Sequence, residues 1–292
     1  MTERPQNWVF LGDSLTEGVG SGRISYVTEL AAQLRAADEE LVVQDMRLRK
    51  VDPEGFNRFI RCNIAGYLSG DLRPARRRLW LWNLACEGRT IETDAEWLPL
   101  LDALRPCRVI VFRGSLESIV RPAMLGDDSW PWWVPQSWRS YAAMDPRCYF
   151  STTWWRRVKQ GAIDTLKQTV RLSLLQRRTG VTLMDLDALI AHYRTLLVHL
   201  RALDARVLML GLLTTDGALF PGSPERFALV NVRLRELAIA QGAEFFDWRT
   251  RFEQSPGRPG FLYRDGFHPN QDGARALATI LREHLSESSR SG

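Results

Sequence analysis

Five short apolar runs, at residues 8–11, 79–84, 108–113, 207–213 and 243–248, alternate with amphipathic stretches along this chain. The runs are rich in leucine, β-branched and aromatic residues, which marks them as strands. Between them, residues 24–37, 95–104, 163–176, 183–203, 225–241 and 271–285 repeat their apolar positions at helical spacing. Strands separated by helices pair in parallel through right-handed crossovers, since a tight turn cannot join parallel neighbours. The expected fold class is therefore α/β, a parallel sheet between two helical layers in an α/β/α sandwich. A chain of 292 residues is long enough for two domains, but α/β sheets of this size commonly form one. No repeat or low-complexity linker divides it, so a single domain over 1–292 is expected.

Two stretches exceed what such a sheet needs, and both read as insertions. Residues 41–78 carry the basic cluster Arg73, Arg76, Arg77 and Arg78. Residues 115–181 hold Trp130, Trp132, Trp133, Trp138, Trp154 and Trp155, over half of the eleven tryptophans. Pro122, Pro131, Pro135 and Pro146 bar one long helix from the first half of that stretch. The tryptophans suit either a core or interface cluster, or a lid or acyl-binding wall. The tail 286–292 reads as frayed.

Net charge is +5, and of 39 basic residues only Lys50, Lys159 and Lys167 are lysines. The arginine bias fits a GC-rich genome, and no aromatic-interleaved or zinc-finger motif accompanies it, so no nucleic-acid partner is expected. Cys62, Cys86, Cys107 and Cys148 lack CxxC pairing and zinc spacing to histidine. They read as reduced thiols, with Cys86 near Gly88, and point to a cytoplasmic protein. The N-terminal residues lack a signal pattern, and no apolar run approaches the ~20 residues of a membrane span. No stable membrane insertion is expected, and the oligomeric state is left open.

Chemistry gathers in two short blocks. Gly12-Asp13-Ser14-Leu15-Thr16-Glu17-Gly18 places a serine hydroxyl just after the first strand, at the sheet edge where ligands collect in open α/β folds. A serine attacks a carbonyl only if a base takes its proton. Of the four histidines, His192 and His199, seven apart, read as residues on one helix face, and His284 as a C-terminal helix residue suited to the dipole. His268 lies in Asp265-Gly266-Phe267-His268-Pro269-Asn270. An aspartate three residues ahead folds its carboxylate onto the ring, fixes the tautomer and stabilises the imidazolium. Gly, Asp and Ser also form simple turns, and His268 also suits a helix cap. The two blocks together, in this order, favour catalysis by Ser14, Asp265 and His268.

These blocks resemble the first and last sequence blocks of the SGNH (GDSL) hydrolase superfamily of esterases, lipases and acyltransferases. Residues 83–90, Asn-Leu-Ala-Cys-Glu-Gly-Arg-Thr, resemble its second block. The resemblance implies a five-stranded flavodoxin-like sheet of order 2-1-3-4-5, with Ser14, Gly88, Gly114 and the Asp265/His268 loop meeting at one carboxyl edge. It also implies an oxyanion hole formed by the backbone N–H groups of Ser14 and Gly88. Read alone, Gly88 is equally a loop glycine needing positive φ. The family's third block, Gly-x-Asn-Asp, is Gly114-Ser115-Leu116-Glu117 here, so leucine stands where an oxyanion-binding asparagine is expected. Asn83 and Ser115 are the nearest substitute donors in sequence, and Glu117 suits a brace for the site loop. The implied activity is acyl-ester hydrolysis through a covalent acyl-serine, on an acylated sugar or secondary metabolite, with no metal or organic cofactor. Acyl transfer by the same triad, or ligand binding by a degenerate site, are the alternatives.

Overall fold

The structure is a computed structural model, and it describes residues 6–19, 24–38, 41–47, 78–123, 130–139, 143–146, 148, 153–177, 180–256 and 260–290. A six-stranded, wholly parallel sheet forms its centre. Its strands are β1 (Gln6–Gly12), β2 (Val42–Arg47), β3 (Arg78–Asn83), β4 (Arg108–Phe112), β7 (Arg206–Leu210) and β8 (Glu244–Phe246), in the order β2-β3-β1-β4-β7-β8. The five strands expected from the apolar runs take the expected mutual order. The sheet nevertheless has six strands rather than five, because β2 from the first insertion adds to the edge beyond β3. The alternation Val42-Val43-Gln44-Asp45 is short and half polar, as an edge strand can be, and no long apolar run announces it. The rest of that insertion, with Cys62, Arg73, Arg76 and Arg77, lies outside the described residues.

The central strands are continuous apolar runs because both faces of a parallel sheet are covered. Every residue of β4 is buried, as are Val9, Phe10 and Leu11 of β1. Helices α2 (Tyr26–Ala37), α8 (Trp248–Gln254) and α9 (Gln271–Arg290) pack together as one layer. The 3-10 helix Ile91–Trp97, α6 (Leu186–Ala202) and α7 (Ser223–Gln241) form the other. Helix α9 continues to Arg290, into the tail expected to fray, where Ser288 Oγ donates to Glu244 Oε1 at 3.0 Å. Among the described residues, no helix is long and apolar enough to cross a membrane.

The second insertion is framed by an antiparallel pair, β5 (Arg121–Pro122) with β6 (Gly180–Val181). Its helix α5 (Trp154–Arg177) starts nine residues before the expected 163, so Trp154 and Trp155 lie on its exposed first turn. The tryptophans do not form one wall. Trp130 and Trp138 pack on a small cluster of Val134, Met144, Val170 and Leu174, whereas Trp132 is 90% and Trp155 72% exposed.

Candidate functional site

Register sets the site. Gly12 at the end of β1 pairs with Phe112 of β4, and Phe10 pairs with Asn83 of β3, so the turns leaving all three strands emerge along one edge. Behind Gly12 the chain winds into the four-residue helix α1 (Ser14–Glu17). A Cβ at Gly12 would stand 2.0 Å from Thr16 Oγ1, so only glycine permits so sharp a turn. Asp13 caps the helix, its Oδ1 accepting from Leu15 N–H at 3.0 Å. Asn83 clamps the turn from the neighbouring strand. Its Nδ2 donates to Thr16 O at 3.1 Å, and its Oδ1 accepts from Ala85 N–H at 3.1 Å. This buried amide is thus engaged with backbone at both ends.

The loop ahead of α9 brings the other two groups. Asp265 is buried, and its Oδ1 accepts the N–H groups of Phe267 and His268 at 3.1 and 3.0 Å. Its Oδ2 stands 2.7 Å from His268 Nδ1, and His268 Nε2 stands 2.9 Å from Ser14 Oγ. A carboxylate surrounded by three N–H groups is an acceptor only, so Nδ1 carries the proton and Nε2 is left to accept from the hydroxyl. Phe267 lies edge-on to the imidazole, with ring centroids 4.8 Å apart. Residues 254 positions apart thus form one hydrogen-bonded line.

Gly88 lies on the turn after β3 with φ +72°. That turn is tied to the serine turn by Glu87 N–H donating to Glu17 Oε2 at 2.6 Å and Cys86 N–H donating to Gly12 O at 3.3 Å. Ser14 N–H opens its helix and has no intrahelical acceptor. Among the described residues, neither Ser14 N–H nor Gly88 N–H donates to a protein acceptor. After β4, Leu116 is half-buried in the short helix α4 (Ser115–Ser118), and Ser115 is fully buried.

Behind the serine turn lies a buried charge cluster, of which the sequence pointed to Glu117 as a brace but not to Arg113, Asp94 or Tyr193. Arg113, at the end of β4, is fully buried, and its Nε donates to Asp94 Oδ2 at 3.1 Å and its Nη1 to Arg89 O at 3.3 Å. Tyr193 OH donates to Arg113 O at 2.7 Å. Glu117 Oε1 accepts Ile91 N–H at 2.6 Å, joining the helix after β4 to the segment after Gly88. Burial raises the Glu117 carboxyl to about 7, and raises Asp13 and Asp94 against the pull of Arg113. An arginine directly after the buried apolar run Val109–Phe112 was the available signal, since a buried charge requires a partner.

Cys148 was also missed. It is buried, and its sulfur, an Asp265 oxygen and a His268 nitrogen all lie within 4.8 Å of one another. The Tyr263 phenol is held above its ordinary range by burial first, then by Cys148 and Asp265. Arg264 Nη1 meets Asp164 Oδ2 of α5 at 3.0 Å, tying the Trp-rich insertion to the histidine loop. The other histidines lie elsewhere: His199 Nε2 is 2.9 Å from Asp102, and His284 stacks on Phe246 at 3.8 Å.

Residues 61–276 match the GDSL-like lipase/acylhydrolase family, a span that includes Gly88, Asp265 and His268 and begins after the Ser14 turn. No curated protein matches the chain by sequence. Among solved structures it resembles Axe2, an acetylxylan esterase from Geobacillus stearothermophilus, at 15% identity and TM-score 0.53, over 97% of this chain and 95% of that one. It also resembles LAE5, an alpha/beta hydrolase from the metagenome of Lake Arreo, at 16% identity and TM-score 0.51, over 94% and 93% of the two chains. At these identities the likeness concerns the fold.

Proposed function

Because this chain belongs to the GDSL-like lipase/acylhydrolase family, and is thereby a carboxylic ester hydrolase, we propose that Ser14, His268 and Asp265 are its catalytic triad. The observation that carries this reading is the continuous line from Ser14 Oγ through the imidazole to Asp265, with links of 2.9 and 2.7 Å. His268 Nε2 takes the Ser14 proton as Oγ bonds to the ester carbonyl carbon. Asp265 holds the ring and stabilises the imidazolium. The carbonyl oxygen, now negative, receives the N–H groups of Ser14 and Gly88. The tetrahedral centre collapses, the C–O bond to the alcohol breaks, and His268 protonates the departing oxygen. Water repeats the sequence on the acyl-serine and frees the acid.

Leu116 contributes no side-chain donor, so the oxyanion rests on two backbone groups. One missing donor costs about 3 kcal/mol of transition-state stabilisation, on the order of 10²–10³ in rate. A slow, specialised enzyme follows, acting on an acylated sugar or secondary metabolite. Acyl transfer needs a dry aromatic acceptor wall. With Trp132, Trp154 and Trp155 exposed, no observation favours that second reading.

The test compares p-nitrophenyl acetate hydrolysis by wild type and Ser14→Ala, with fluorophosphonate labelling read by mass spectrometry. Label on Ser14 and loss of hydrolysis in the variant are expected. Equal hydrolysis by both proteins would refute the assignment.

A further inference from the structure

We propose that Cys148, Asp265 and His268 form an inhibitory site for a borderline-soft divalent cation, zinc above all. This rests on the reading of Ser14 and His268 as the catalytic pair, and it assigns that pair a regulator.

The sequence offers no metal spacing, since these residues are 3 to 120 positions apart and come from two separate loops. Folding nevertheless gathers a thiol, an imidazole and a carboxylate, with one donor atom from each within 4.8 Å of the others. That set of sulfur, nitrogen and oxygen donors is one that zinc accepts, whereas magnesium and calcium prefer oxygen alone. Tetrahedral zinc, with bonds of ~2.3 Å to sulfur and ~2.0 Å to nitrogen, requires donors about 3.5 Å apart. A contraction of roughly 1 Å therefore closes the site. Cys148 and Asp265 are both buried, so little bulk water competes for the metal, while His268 keeps 17% of its side chain exposed and provides an approach. With metal on Nε2, Ser14 Oγ, 2.9 Å from that nitrogen, can complete the coordination, and with metal on Nδ1 a water can.

Coordination forms one bond each to sulfur, nitrogen and oxygen, releases the thiol proton to solvent and changes no oxidation state. Either imidazole nitrogen gives the same outcome. Metal on Nε2 occupies the lone pair that would accept the serine proton. Metal on Nδ1 moves the ring proton to Nε2, which then faces Ser14 as a donor and cannot act as a base. Substrate hydrolysis stops without any change in fold.

The experiment uses the full chain freed of metal with chelator. Cobalt(II) reports thiolate ligation through a sulfur-to-metal charge-transfer band, and zinc(II) is titrated into the p-nitrophenyl acetate assay. Wild type is expected to show the band, saturating at one equivalent, and to lose hydrolysis on zinc addition, with recovery on chelation. Cys148→Ala and Cys148→Ser are expected to lack the band. Their half-inhibiting zinc concentration, each measured against its own metal-free rate, should rise about 10–100-fold, the usual cost of damage to a metal site. Absence of the band in wild type, or its persistence in both variants, overturns the site. Ser14→Ala separates this result from the catalytic reading: a Cys148-dependent band alongside hydrolysis indifferent to Ser14 keeps the metal site and removes the triad assignment.

Discussion

Replacing Glu117 with glutamine tests the buried charge cluster through the pH dependence of stability. Glu117 is fully buried, its Oε1 accepts Ile91 N–H, and its Oε2 has no hydrogen-bond partner among the described residues. Burial lifts its pKa from 4.5 to about 7 in the folded protein. Between those two values the folded chain holds a proton that the unfolded chain has released. Stability therefore falls as pH rises through this window, and the loss is complete above about pH 7. At about 1.4 kcal/mol per pH unit, the displacement corresponds to ~3 kcal/mol. Glutamine keeps an oxygen for Ile91 and is neutral at every pH. Its NH2 group places a new donor in the buried site, and an unmatched donor costs about 1–3 kcal/mol, equally at pH 5 and pH 8. The contrast between the two conditions thus isolates ionisation. From pH 5 to pH 8, Glu117→Gln is expected to gain about 2.5 kcal/mol on wild type, since part of the window lies below pH 5, or about 5 °C in Tm at roughly 2 °C per kcal/mol for a chain this long. Thermal and urea unfolding of both proteins at pH 5, 6.5 and 8 measures this. A constant offset at all three values, or a variant that loses ground toward pH 8, refutes the reasoning.

Three further outcomes follow from the site. Asp265→Asn is expected to lower kcat by about 10³–10⁴ with little change in KM, because an amide no longer holds the Nδ1–H tautomer. Steady-state kinetics on p-nitrophenyl acetate check it, and a loss under tenfold would contradict the role. Leu116→Asn supplies the missing side-chain donor and is expected to raise kcat by about tenfold, below the ~10²–10³ ceiling for one donor. An unchanged kcat in the same assay places Leu116 away from the oxyanion. At Gly266, φ is +62°, and an added Cβ would stand 2.5 Å from Asp216 Cβ. Gly266→Ala should therefore strain the loop between Asp265 and His268 by about 1–2 kcal/mol and displace the imidazole. A lower Tm with at least a tenfold drop in kcat is expected, and wild-type kinetics would count against it.

The exposed apolar surface of the Trp-rich insertion shows where pattern reading loses force. Proline placement correctly limits helix in its first half. The start of α5 is misread by nine residues, because Trp154-Trp155-Arg156-Arg157 has no periodic apolar face and its helical state depends on the packing of residues further along. The edge strand β2 escapes for the opposite reason: short polar–apolar alternation is a weak signal until β3 supplies its hydrogen-bonding partner.

Sequence alone determined the alternation of strands and helices, because hydrophobic periodicity is a local property that each segment carries wherever it sits. It also paired Asp265 with His268, three residues being close enough for one turn of chain to join them. Tertiary structure decided the rest. It put Ser14 Oγ at 2.9 Å from an imidazole 254 positions away, set Arg113 and Glu117 behind the serine turn, and brought Cys148 from the insertion to the histidine. Such meetings depend on strand order and register, which long-range packing fixes and no neighbouring residue encodes.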